Sequence, residues 1–201
     1  MAVKAAERER EEAARLPEGD VVRTLLEQHA RIRELFGDLR TARGEHRRQA
    51  FDELRALLAV HETAEEMVLR PVTKRVAGPE VADARDREEA EATWELRELE
   101  KMDIFSPEFA ARLDAFERSV SEHADREEQE EFPVVRAQCE PDKRRSMGDS
   151  LRAVERFAPT HPHPSAAGSP LRQWTVGPIA SIIDRSKDAI RSRARVGDGG
   201  A

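Results

Sequence analysis

The sequence predicts an all-α protein: an antiparallel, up-down-up-down four-helix bundle followed by a C-terminal extension, part irregular and part helical. Three observations predict it. Apolar residues recur at spacings of three and four along four stretches, the repeat of one helix face. Charged residues are 37% of the chain and aromatics 4%, with no tyrosine, a balance that favours Ala/Leu/Arg/Glu helices over sheets. Proline, glycine and capping residues fall between the stretches, and short connections make neighbouring helices antiparallel.

Residues 1–16 form a charged N-terminal arm. Positions 4–15 are almost all Ala, Arg and Glu, which predicts a solvated and helix-competent segment. The bundle spans residues 17–140. Its first helix opens at Asp20, an N-cap after Pro17-Glu18-Gly19, and runs to about Arg40. Its stripe is Val22, Leu25, His29, Ile32, Phe36 and Leu39. Gly44 marks the break. The second helix runs from about Glu45 into the 70s with the stripe Phe51, Leu54, Leu58, His61, Glu65, Val68 and Val72, and Pro71 is expected to kink or end it. Gly78-Pro79 opens the third, which runs to about Met102 with Arg85, Glu89, Ala92, Leu96 and Leu99 inward. Ser106 as N-cap and Pro107 in the first turn open the fourth. Its stripe is Phe109, Leu113, Phe116, Val120, His123 and Glu127, and it ends near Arg136.

Residues 141–201 are the extension. A short helix is predicted over 143–157, then a linker holding Pro159, Pro162, Pro164 and Pro170. Ile179, Ile182, Ile183 and Ile190 line one side of a last amphipathic segment. It is expected to pack along the bundle or across a homodimer, in preference to an anionic membrane surface.

Composition excludes several classes. A net charge of -7 gives no electrostatic reason to expect nucleic acid as a partner. The single cysteine, Cys139, excludes an intramolecular disulfide and suits a reducing compartment. The charged start carries no apolar leader, and no stretch approaches the roughly 20 apolar residues of a membrane span, so the cytoplasm is expected. His61-Glu62 has Glu65 where a zinc protease has its second histidine, and no phosphate-cradling loop or serine elbow occurs. His46, His161 and His163 are expected on the surface.

Two stretches share one frame. His61 is followed by Glu65, Glu66 and Pro71-Val72, and His123 by Glu127, Glu128 and Pro133-Val134. Residues i and i+4 share a helix face, so each stretch aims an imidazole and a carboxylate at one place. Acids are 41 of 201 residues, so one such pair could arise by chance. The case rests instead on position: His29, His61, Glu65, His123 and Glu127 all lie on apolar stripes. Unpaired carboxylates in a core cost several kcal/mol, roughly, or take up protons, and a divalent or trivalent cation relieves both. The offsets that follow His29 in the first helix, applied from Glu89, place Glu89 at the equivalent point of the third. Glu88 and Glu91 are the alternatives there. The candidate ligands are therefore His29, His61, Glu65, Glu89, His123 and Glu127.

Leu-Leu-Glu-Gln-His29-Ala-Arg-Ile-Arg-Glu-Leu-Phe, the stretch from Val60 to Val72 and that from Glu122 to Val135 together resemble the hemerythrin-like HHE cation-binding family, over residues 20–137. The resemblance implies an antiparallel bundle around a non-haem dinuclear iron centre, oxo- or hydroxo-bridged. Glu65 and Glu127 would bridge the ions, and His29, His61 and His123 would be terminal ligands. Manganese or zinc could stand for iron. The implied function is binding of, or reaction with, dioxygen, peroxide or nitric oxide, with diiron oxidoreductase chemistry as its enzymatic form. The alternative is a metal-dependent sensor or iron-binding protein without turnover, and a third reading is a metal-free interaction bundle. The third helix departs from the family pattern, since Glu89 stands where a histidine is usual. An anionic oxygen donor there stabilises the ferric state and favours weaker occupancy of one position, or a mononuclear centre.

Overall fold

Capping chemistry sets the element boundaries in the computed structural model, which describes residues 2–157. Every regular element among them is helical: α1 (Ala2–Ala14), α2 (Val21–Thr41), α3 (Gly44–Ala64), α4 (Arg70–Val76), α5 (Pro79–Glu100), α6 (Pro107–Arg126), α7 (Phe132–Gln138) and α8 (Pro141–Phe157). Asp20 caps α2, its carboxylate accepting from the Val22 N–H at 3.0 Å. Ser106 caps α6 in the same way, its Oγ accepting from the Phe109 N–H at 3.0 Å. Pro79 and Pro107 occupy first helical turns, where the missing N–H costs nothing. Gly78 has φ 99°, a conformation that L side chains resist, so the turn into α5 needs glycine. These packed helices are consistent with a four-helix bundle.

Pro71 neither ends nor breaks its helix. Five-residue π turns, Glu65–Leu69 and Glu127–Glu131, join α3 to α4 and α6 to α7. The N–H of Arg70 bonds to the Glu65 carbonyl and that of Phe132 to the Glu127 carbonyl, each five residues back. A proline ring next in sequence would clash with the carbonyl four residues before it in an α-helix. The wider turn moves that carbonyl aside, and the helix passes through. The extra residue also changes the inward register. Leu69, Arg70 and Thr73 are buried beyond Glu65, and Glu131, Phe132 and Val135 beyond Glu127.

The apolar interior falls into two clusters. One joins Val22, Leu25 and Leu26 to Ala64, Val68, Leu69, Phe132 and Val135. The other joins Ile32, Phe36, Leu54, Leu58, Leu99, Phe109, Phe116 and Val120. His29, His61 and His123 fall in sequence between the two sets on α2, α3 and α6. A polar layer therefore separates the clusters.

Helix α1 is less solvated than its composition predicts. Ala6, Glu9, Ala13 and Leu16 are all buried, at spacings of three and four. Alanines let α1 approach α2 closely, and Arg33 Nε donates to Glu9 Oε1 at 2.5 Å, so the one charge on that face is paired. Composition hides the face because an acid sits in it. The predicted helix over 143–157 is present as α8, beginning two residues earlier. His161, His163 and the Ile179–Ile190 segment lie outside the described residues.

Gly148 brings α8 onto the loop before α2, where a Cβ would collide with the Gly19 carbonyl oxygen. That oxygen belongs to backbone and cannot swing away. Gly148→Ala should destabilise the protein by about 1–3 kcal/mol, as overpacking does. Gly37 has open space around its Cβ direction within α2. Gly37→Ala should therefore stabilise by about 0.5–1 kcal/mol. Thermal melts of the two variants check both signs, and a Gly148→Ala protein as stable as the parent would dismiss the close contact.

Candidate metal centre

The six candidate residues converge on the polar layer. α2 brings His29, α3 His61, α5 Glu89 and α6 His123, while Glu65 and Glu127 each start a π turn. They form two overlapping groups. One is His29, His61, Glu65 and Glu127. The other is Glu65, Glu89, His123 and Glu127. Within each, one candidate donor atom per residue lies within 4.8 Å of all the others. Glu65 and Glu127 belong to both, which is the geometry a pair of shared carboxylates requires. His29 Nε2 is 3.3 Å from Glu127 Oε2, His123 Nε2 is 3.2 Å from Glu127 Oε1, and His61 Nε2 is 3.6 Å from Glu65 Oε1. Of the three α5 acids, Glu89 is the one in the group. Glu91 is exposed, and Glu88 has a different role.

That role concerns the other ring nitrogen. His123 Nδ1 is 2.9 Å from Glu88 Oε2, His29 Nδ1 is 3.0 Å from Glu128 Oε1, and His61 Nδ1 is 2.8 Å from Gln28 Oε1. All three partners are acceptors, so each Nδ1–H donates, and in the neutral ring the lone pair is left on Nε2. This outer arrangement is what fixes the tautomer and direction of metal-ligating histidines. Gln28 is itself held, its Nε2 donating to Glu155 Oε1 on α8 at 2.6 Å. The sequence reading missed Gln28, Glu88 as a histidine partner, and Glu9, which forms a further group with His29 and Glu128. It also missed Arg70. Glu128 carried a signal, as the acid beside Glu127 in the repeated frame, yet its counterpart Glu66 is exposed.

The electrostatics of the site fit a bound cation. Both carboxylate oxygens of Glu65, both of Glu127 and Nε2 of His29 are buried with no hydrogen bond of normal geometry. Burial pushes Glu65 well above the usual carboxylate range, and the Glu127 charge adds to it. Burial also acts against Glu127, but His123 and His29 outweigh it and hold that carboxyl well below the usual range. Burial opposes charge on His29, yet its contacts with Glu127 and Glu128 raise it to about 9. His123 is likewise desolvated and still raised to about 9, by Glu127, Glu88 and Glu89. At His61 burial dominates, and with the neighbouring His29 charge it outweighs Glu127 and lowers the ring to about 3. Three imidazoles and three carboxylates are a mixed nitrogen and oxygen set suited to a first-row transition metal.

Residues 20–135 match the family described as the hemerythrin HHE cation-binding domain. The chain belongs to that family. A hemerythrin-like protein of Schizosaccharomyces pombe, described as uncharacterized, is 31% identical over 134 residues. The match covers 65% of this chain and 66% of the relative, just under two thirds of its length. No solved structure matches the chain. The hemerythrin-like region begins at Asp20, so α1 and its buried Glu9 lie outside it. No helix among the described residues is long and apolar enough to cross a membrane.

A cavity of about 30 Å³ adjoins the centre. Ile32, Leu58, Ala92 and Val120 form its apolar wall, and His29, His61 and His123 also line it. That is room for one or two water-sized molecules, roughly, or one diatomic.

The metal-free hemerythrin-like protein should lose stability with alkali. His29 and His123 have folded-state values of about 9 against an ordinary 6.5. Raised values contribute stability that is complete below about pH 6.5 and lost as pH climbs through about 9. His61, lowered to about 3, works in the opposite direction below about pH 6.5, where the unfolded chain takes up its proton. Melts of chelator-treated protein should therefore fall between about pH 6.5 and 9, by roughly 2–4 °C for each kcal/mol lost. A melting temperature that climbs over that interval contradicts the assignment.

Proposed function

We propose that this protein is a non-haem iron protein. In this reading, an antiparallel bundle spanning residues 17–140 holds iron at two positions and presents it to dioxygen, peroxide or nitric oxide. His29 and His61 would hold one ion, His123 and Glu89 the other, and Glu65 and Glu127 would be shared. One observation carries the reading: three imidazoles, each tied at Nδ1 to an outer acceptor, turn Nε2 toward two buried carboxylates without hydrogen bonds. Bound iron would supply a redox change and open coordination positions for a small ligand. The chain's own part is to bind, orient and exclude water. Ile32, Leu58 and Val120 wall the cavity beside the ligands, which has room for a small ligand. Three carboxylates among the donors favour the oxidised metal, which suits peroxide or dioxygen chemistry better than reversible oxygen storage.

Elemental analysis of protein purified without a metal-charged column tests this directly. The expected result is iron bound to the chain and peroxide consumed by the loaded protein. Glu65→Gln and Glu127→Gln should each lose most of the metal. Glu88→Ala removes the acceptor of His123 Nδ1 and should weaken binding by about 10–100-fold. Metal content unchanged by Glu65→Gln and Glu127→Gln would remove the proposed ligands, and iron-loaded protein inert to peroxide and dioxygen would remove the catalytic form.

A second reading, a metal-dependent sensor, has its own support. His61 is linked through Gln28 to Glu155 on α8, in the C-terminal extension. A change at His61 would reach the extension through two hydrogen bonds. Under this reading, chelation speeds proteolysis beyond Gln138 and Gln28→Leu uncouples cleavage from metal. Cleavage rates indifferent to metal content argue for the first reading alone.

A further inference from the structure

Arg70 is the one guanidinium among the described residues that pairs with candidate ligands. It is 3% exposed, turned inward where the π turn shifts the helix register. Its Nη2 makes a very short contact with Glu89 Oε1 and lies 3.6 Å from Glu127 Oε1. Its Nη1 pairs with Glu131 at 2.9 Å, and its Nε lies 3.1 Å from Asp86. His123 Nε2 is 3.2 Å from that same Glu127 Oε1. The Arg70 nitrogen therefore lies among the donor atoms of the second group, Glu65, Glu89, His123 and Glu127. Arg70 touches the first group, His29, His61, Glu65 and Glu127, only through the shared Glu127, and no other guanidinium among the described residues pairs with a member of it.

We propose that Arg70 makes the two metal positions unequal. Its guanidinium holds Glu89 as a resident cation, so the His29–His61 position fills first. The His123–Glu89 position then fills only as Arg70 releases Glu89. The inference rests on the metal-centre reading above and adds an order of loading to it. Two chemical facts carry it. A carboxylate forms a charge-assisted pair with a guanidinium, whereas a neutral imidazole in its place offers no charge, so Glu89 and Arg70 act together. A metal ion entering beside Nη2 meets a like charge at short range in a desolvated layer, where screening is weak. Glu131 and Asp86 give Arg70 other partners to keep when Glu89 leaves it. A buried guanidinium can thus let go of one acid without being stranded.

Titration of the metal-free full chain with manganese(II), followed by the resonance signal of the free ion, tests this without any activity. The parent should take one ion tightly and a second at least about tenfold more weakly. Arg70→Gln should tighten the second ion by at least about tenfold and the first by less. Should Arg70→Gln fail to fold, Glu89→His makes the same test, since a neutral imidazole gives Arg70 no negative charge to pair with. Two ions of equal affinity in the parent overturn the proposal. So does loss of the second ion in Arg70→Gln, which would mean that Arg70 positions Glu89 for the metal. If no protein in the series binds even one ion, the metal centre itself is wrong, an outcome distinct from a first ion bound and a second misassigned.

Discussion

Two carboxylates that no donor satisfies constrain the rest of this molecule. Glu65 and Glu127 are each 0% exposed, at the meeting point of four helical segments. Leaving such groups charged and unpaired in a protein interior costs several kcal/mol, roughly, so the surroundings must answer them. Contacts with Glu127 raise the imidazoles of His29 and His123 toward the charged form, and burial raises Glu65 toward the neutral one. The same atoms can answer a metal in place of protons. Folding and metal chemistry thus use one set of side chains, and the acids fix where both happen.

Arginine does elsewhere in the interior what a cation does at the centre. Arg33 neutralises Glu9 and reaches Asp125 at 2.8 Å, so an acid can sit on the buried face of α1. Arg55 meets Glu100 at 2.7 Å between α3 and α5. A guanidinium satisfies several acceptors at once through its planar fork, which suits crowded acid-rich interfaces. The difference at Glu65 is that Arg70 does not hydrogen-bond its oxygens. Its fork is taken up by Glu89 and Glu131, leaving Glu65 bare.

The helix boundaries and the ligand candidates were legible because both follow from local rules. Asp20, Ser106, Pro79 and Pro107 announce helix starts by chemistry that needs no tertiary context. His29, His61 and His123 stood out because polar groups on an apolar stripe need a reason. Glu89 could be placed by offsets borrowed from α2. What stayed hidden depends on register or on distant neighbours. Arg70 follows Glu65 by five residues, which straight α-helical geometry puts off the inner face. The π turn, set by Pro71, brings it in. Glu66 and Glu128 hold the same place in a repeated frame. Only Glu128 has a histidine from α2 beside it, a fact no single helix contains. Gln28 and Glu155 are 127 residues apart in sequence, so their contact has no local trace. Glu9 was masked by the charged arm around it.

The two apolar clusters meet across a sheet of ionisable groups instead of merging into a single oily interior. Hydrophobic association gives each half its own reason to stay folded, and α2 and α3, which run through both, tie the halves together. The stratum between adds a second tie, whose cohesion changes with whether it is filled by protons, by a guanidinium or by metal. The cooperativity of unfolding then depends in part on the occupant. A filled layer welds the halves into one melting unit, and a depleted one leaves a seam along which they can part.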